Sequence, residues 1–280
     1  VADKHLESLS TNNLIYSDSL KSLVLNVDFL PPRPTNDKLL EFIDIGLPSD
    51  LTSLSAITTD GTFIYVGHMA FYSGFSKIYK YGTGYNGTIA GQSYGEIPNL
   101  LAPIWHSMVF YPDQNGGSLY IATGDAYSLL KINPTNGDTT RVNIPDGLLN
   151  SIDSRVRDGA FYLNTDGEYI YNVAYINENG ELKYKVRIFD PLNNWTKLKD
   201  DLIPNGSSFD NFTGFFMAEG YFYPYENFQE GWLRRINLQT GDYEEEWRSF
   251  EPFQGFYAWV YDWINDVVYA SVFQTNFSPK

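Results

Sequence analysis

His68 and His106, together with the carboxylates Asp125, Asp158 and Glu226, are the side chains best suited to hold a divalent cation or to move a proton. Imidazole and carboxylate suit several such metals. They lie far apart and show no His-x-x-x-His spacing, so a site requires a fold that gathers them from separate elements. With no cysteine in the chain, thiol nucleophiles, disulfides and Cys-ligated zinc are excluded. Neither histidine lies near a G-x-S-x-G elbow, which leaves nucleophilic triads without a base. Glycan cleavage needs two carboxylates roughly 5 to 10 Å apart. Asp158 is placed for such a role, with Asp153 and Asp210 as neighbours in sequence.

A second motif invites a nucleotide. "IYKYGTGYNGTIAGQSY" carries G-x-G-x-x-G at Gly82, Gly84 and Gly87. A dinucleotide fingerprint needs a helix after its glycines. Here "TIAGQSYGEIP" follows, with no helical apolar stripe. Equivalent places later in the chain hold "NPTNGD" and "NLQTGD", which are turn sequences. The glycines are therefore expected to turn a hairpin.

Composition narrows the fold and the partners. Aromatics are 17% of the chain, which suits the pleated surface of sheets. The net charge of −15 argues against nucleic acid and against anionic membranes, both of which call for a positive surface. No apolar run approaches the roughly 20 residues of a membrane helix. The first residues, "VADKHLESLS", contain no signal-peptide core, so any targeting segment is expected to be either absent or already removed, and the missing initiator Met favours a processed or trimmed start. Five sequons, at Asn86, Asn194, Asn205, Asn211 and Asn276, are glycosylation candidates and point to an extracellular or cell-surface location.

A repeat of about fifty residues organises the whole. "LSAITTDGTFIYVGHM", "HSMVFYPDQNGGSLYIATGD", "DGAFYLNTDGEYIYNVAY", "TGFFMAEGYFYPYEN" and "YAWVYDWINDVVYASVF" each read as strand, tight turn, strand. Third strands ("KIYKYG", "YSLLKINP", "KYKVRIFDP", "WLRRINLQ") and fourth strands ("TIAGQSYGEIP", "TTRVNIP", "WTKLKDDLIP", "YEEEWRSFEP") follow the first four units. The fifth unit lacks its outer half, and "LKSLVLNVDF" with "KLLEFIDIGLP" near the start would supply it. The expected fold is all-β: a five-bladed β-propeller with four-stranded antiparallel blades, closed by strands from both termini. Residues 1–19 form a tail or clasp, and residues 20–280 a single propeller domain.

The "DG-x-x-x-Y" hairpins and TGD-like turns resemble those of the β-propeller superfamily. The fivefold closure, "YAW" at Tyr257 to Trp259 and the aromatic strands resemble olfactomedin domains, which are extracellular five-bladed propellers. Members of that family usually carry a disulfide, which a chain without Cys cannot form. Their buried calcium site finds no residue-by-residue match.

In such a ring, the connections between blades share one rim with those between second and third strands. Trp105, His106, Arg157, Asp158, Tyr257 and Trp259 fall there as ligand-binding candidates. His68, Asp125 and Glu226 are the metal candidates, for a divalent cation at the channel mouth; no other cofactor is expected. The expected function is non-catalytic recognition or assembly, with a protein or glycan bound at the rim. A glycan hydrolase or lyase, or a structural subunit of a larger assembly, are the alternatives.

Overall fold

The computed structural model describes residues 23–28, 40–43, 54–68, 77–98, 107–113, 116–122, 125–149, 162–202, 215–218, 220–227, 232–248 and 256–272. Within them the named strands form five antiparallel sheets of four. Four sheets run in chain order. The first holds β3 (Leu54–Thr59), β4 (Phe63–His68), β5 (Lys77–Gly82) and β6 (Ser93–Glu96). The second holds β7 (Met108–Tyr111), β8 (Ser118–Ala122), β9 (Ser128–Ile132) and β10 (Thr139–Asn143). The third holds β11 (Tyr162–Thr165), β12 (Ile170–Glu178), β13 (Glu181–Asp190) and β14 (Thr196–Lys197). The fourth holds β15 (Phe215–Ala218), β16 (Tyr221–Asn227), β17 (Trp232–Asn237) and β18 (Tyr243–Arg248). In the remaining sheet β19 (Phe256–Asp262) and β20 (Val267–Val272) are continued by β1 (Leu23–Asp28) and β2 (Leu40–Ile43), through the pairing of β20 with β1.

The first strands of the sheets are neighbours in the order β3, β7, β11, β15, β19 and back to β3. The arrangement is that of a β-propeller. Its core lies between sheets rather than beneath one, because alternate residues of a strand face opposite ways. On β4, Ile64 and Val66 join an apolar cluster with Val260, Val267 and Tyr269 of the last sheet. Tyr65, between them in sequence, packs with Phe110, Leu119 and Ile121 of the second. The alternation repeats on β8, where Leu119 and Ile121 face the first sheet while Tyr120 and Ala122 face Leu163, Ile170 and Phe189 of the third. Each fully buried Ile, Leu or Phe contributes about 1.5–3 kcal/mol.

The turns are built by a repeated residue set. Asp60 Oδ1 accepts hydrogen bonds from the backbone N–H of Thr62 (2.8 Å) and Phe63 (2.6 Å), while Thr59 Oγ1 accepts one from Gly61 (3.0 Å). The Tyr65 hydroxyl closes the motif by donating to Asp60 Oδ2 at 2.7 Å. Asp166, Thr165, Gly167 and Tyr171 repeat these bonds in the third sheet. Burial first, and the adjacent carboxylate second, push both phenols far above their ordinary value, so they remain neutral donors.

Two predicted fourth strands are shorter in the structure. Of "TIAGQSYGEIP" only Ser93–Glu96 is strand, because Gly91 adopts φ +72° and its N–H bonds back to Gly82 O at 2.9 Å. Of "WTKLKDDLIP" only Thr196–Lys197 is strand, since Trp195 takes a left-handed φ of 59° and is buried just before it.

Candidate functional site

The antiparallel order gives the ring two distinct ends. One carries the hairpin turns between first and second strands and the turns between third and fourth. The other carries the connections between sheets and those between second and third strands, and is the rim expected to bind.

The hairpin end is filled across its axis. Trp263, in the β19–β20 turn, packs on the apolar cluster between the first and second sheets. It also lies against Gly167 in the third sheet, where a Cβ would stand 2.4 Å from Trp263 Cε2 and 2.5 Å from Cδ2 and Nε1. The third and last sheets are not neighbours in the ring, so this indole spans the middle. Beside it Asp262 is buried, with Oδ1 accepting from Ile264 N (3.1 Å) and Asn265 N (3.2 Å). The Asn265 amide bridges two sheets, donating to Asp262 Oδ2 at 2.8 Å and to Gly61 O at 2.7 Å. Burial raises the Asp262 pKa and the charge of Asp60 adds to the rise, while the hydrogen bonds from Asn265 and Ile264 oppose it.

At the opposite end several strands depart from regular pairing. In β19, Phe256 faces Val272 and Ala258 faces Ser271, which leaves Tyr257 as an extra residue. In β3, Ser55 is likewise extra between Leu54 and Ala56, and in β16 the register shifts at Glu226, between Tyr225 and Asn227. Such bulges bend a strand and concentrate at barrel rims and beside active sites. His68 ends β4 opposite Leu54 and Lys77, and Trp259 pairs with Ala270 in regular register.

Asp125 is tied down locally. Its carboxylate accepts from Tyr127 N (2.9 Å) and Ser128 Oγ (3.0 Å) and pairs with Arg141. The Tyr127 N–H, then Ser128 and Arg141, hold its pKa below the usual carboxylate value. Trp105, His106, Arg157 and Asp158 lie outside the described residues, as do the sequons at Asn205, Asn211 and Asn276. Asn86 and Asn194 are described; both are exposed, at φ 52° and 53°, in turns of the hairpin end. Among the described residues, no three His, Cys, Asp or Glu side chains cluster in a way that could hold a metal.

Sequence reasoning missed the short polar side chains that join one sheet to the next. Thr58 Oγ1 on β3 accepts from Phe110 N on β7 at 2.8 Å. Ser107, just before β7, accepts from Leu163 N on β11 and donates to Leu163 O at 3.1 Å. Asn164 Oδ1 on β11 accepts from Met217 N on β15 at 3.3 Å. The signal was a buried Thr, Ser or Asn where an inner strand would otherwise be apolar. Further out, Arg187 on β13 holds Asp201 through two bonds of 2.7 Å and donates to Asp146 O (2.8 Å) and Gly147 O (2.9 Å) of the preceding sheet's loop. Burial alone would raise the Asp201 pKa, but Arg187 and Lys185 outweigh it and hold the carboxyl below its ordinary value.

Comparison with solved structures finds distant similarities, at TM-scores of 0.45 or less. A chain of the crystallised nidogen/laminin complex is 9% identical, with 85% of this chain and 97% of that one covered at a TM-score of 0.45. Kuenenia stuttgartiensis hydrazine synthase is 14% identical over 78% of this chain and 80% of its own, also at 0.45. A Bacteroides thetaiotaomicron protein of unknown function is 16% identical over 77% and 58%, at 0.42. No family model matches the sequence, and no curated protein sequence is significantly similar to it.

Proposed function

We propose that the five sheets are the blades of one closed propeller whose function is non-catalytic recognition or assembly, with a protein partner at the rim opposite the hairpin turns. The observation that carries this reading is the extra residue at Tyr257, at the start of an inner strand and on that rim, with a further bulge at Ser55 in the neighbouring inner strand. Trp263 filling the axis at the other end supports approach from the rim side. Trp105, His106, Arg157, Asp158, Tyr257 and Trp259 are the proposed contacts. An extracellular or cell-surface location belongs to the same reading, with Asn194 the better-presented acceptor of the two described sequons. The side-chain amide of Asn86 is turned inward, donating to Gly61 O and Thr62 Oγ1, both at 3.3 Å.

Arrays of extracellular proteins and of glycans, probed with the full chain and with Tyr257→Ala and Trp259→Ala variants, test the reading. Binding to a protein lost in both variants, with their unfolding midpoints unchanged, is the expected result. Turnover of a glycan that disappears in Asp158→Ala would replace the proposal with hydrolysis or lysis.

A further inference from the structure

The G-x-G-x-x-G stretch has a structural use that hairpin turning does not exhaust. Of the four described connections between third and fourth strands, three are short: residues 133–138, 191–195 and 238–242. The one between β5 and β6 runs over residues 83–92 and is folded on itself. Its ends meet through Gly82 N to Gln92 O and Gly91 N to Gly82 O, both 2.9 Å. Inside, Thr88 Oγ1 donates to Tyr85 O at 2.8 Å and accepts from Gly84 N at 3.2 Å. Asn86 and Thr83 pin the loop to the β3–β4 turn at Gly61 O and Thr62 O. Gly84 and Gly87 stand at φ +89° and +82°, where a side chain would be strained. It is a compact, pre-ordered surface loop, the class most often used for binding.

What it displays is apolar. Of seven large hydrophobic side chains exposed among the described residues, Ile89 (65%), Tyr85 (37%) and Tyr94 (38%) come from this loop and the strand it feeds, and Ile264 (55%) comes from the adjoining β19–β20 turn. These are contiguous: Ile264 packs on the Gly61 backbone to which Asn86 is bonded, and the Tyr94 hydroxyl accepts from Ile89 N at 3.2 Å. Residues 82–95 are otherwise Gly, Thr, Asn, Ala, Gln and Ser, with no charge. Rigid tyrosines among small uncharged hydrogen-bonding residues are the composition of antibody paratopes. In repeat folds, insertions between strands map to loops on one face, often the binding face.

We infer that the Tyr85–Ile89–Tyr94–Ile264 patch docks a second protein, distinct from this chain, that offers an apolar pocket rimmed by Lys or Arg. Charge selects that occupant. No Lys or Arg occurs in residues 81–95 or 256–279, Lys80 at the edge of the patch is turned over the Phe63 ring, and the turns beside the patch carry Asp60 and Asp266. A second copy would bring another net charge of −15 against the first. A glycan, hydroxylated over most of its surface, would leave the branched Ile89 side chain, the most exposed of the four, without an apolar partner. The surface lies at the opposite end from the proposed rim, so it adds a contact rather than restating that one.

The test is a phage-displayed random peptide library panned on the immobilised full chain. Enriched peptides are expected to combine aliphatic or aromatic anchors with Lys or Arg and to weaken as salt is added. They are expected to bind an Ile89→Asp chain about tenfold or more less tightly. Because Ile89 is solvent-facing, the unfolding midpoint of that variant stays at the wild-type value; Tyr85→Ser serves as an independent variant. Peptides that are acidic, that bind both chains alike, or that never enrich overturn the inference. A dimer in sedimentation equilibrium, or glycan-array binding, that is lost in Ile89→Asp overturns it by naming another occupant. Peptides indifferent to Ile89→Asp but lost in Trp259→Ala sink the loop while leaving the rim standing.

Discussion

Replacing Gly167 by Ala tests the reading that Trp263 spans the ring. Two costs are expected. The backbone at Gly167 has φ +89°, a conformation that costs an L side chain about 1–2 kcal/mol. The new Cβ would also stand 2.4 Å from Trp263 Cε2, well inside contact distance. Overpacking of that kind costs about 1–3 kcal/mol more. The expected loss is about 2–5 kcal/mol, a drop of roughly 1 M in the urea midpoint for a chain of this size. Removing the indole separates the two costs. In a Trp263→Ala background the same Gly167→Ala change should cost only the backbone part, about 1–2 kcal/mol. Urea titrations of the four proteins, followed by circular dichroism, supply the double-mutant cycle. Equal costs of Gly167→Ala with and without the indole would show that Trp263 does not reach the third sheet, and the closure of the hairpin end would fall with it.

Arg187→Ala should cost about 1.5–3 kcal/mol at pH 7, because the partly buried Asp201 loses its bidentate partner while keeping Lys185 at 3.3 Å. The folded-state pKa of Asp201 lies below the unfolded value, so its stabilisation is present above about pH 4 and lost as pH falls through the folded pKa. The deficit of the variant should therefore shrink in acid, as read by urea midpoints between pH 7 and 3. Asp262 has the opposite sign: its folded pKa is raised, so protonation favours the folded chain and stability recovers as pH falls through that value. An Asp262→Asn variant should lack this recovery, and a parallel pH dependence in both proteins would contradict it. Ser107→Ala leaves Leu163 N–H without its acceptor and should cost about 1–3 kcal/mol in the same titration.

The strands were legible because a sheet element buried on both faces and a tight turn each leave a local mark. Thr59-Asp60-Gly61 and Thr165-Asp166-Gly167, each with a tyrosine five residues after its Asp, are short-range signals that need no tertiary information. The partnership of the first and last strands was legible as well, since each end held half a repeat. Contacts between sheets were not. Alternation tells which residues share a face but not what that face meets, so the bonds from Thr58, Ser107 and Asn164 to the next inner strand could not be read. Trp263 was equally silent, being one aromatic among many until the turn around it placed it on the axis. In the β5–β6 loop a β-like run of residues hid a folded insertion, because Thr88 bonds to Tyr85 rather than to a neighbouring strand. Of the candidate rim, the bulge at Tyr257 depends on register, which only the pairing of β19 with β20 reveals.

The pairing of Leu23–Asp28 with Val267–Val272 has a consequence for how the protein is made. An early segment must wait, unpartnered, until translation delivers its complement from the far end. Contacts that close so long a loop form late and slow folding. During that interval the apolar residues of "LVLN" are open to intermolecular pairing, which makes this seam the place where nascent chains would swap strands or require a chaperone.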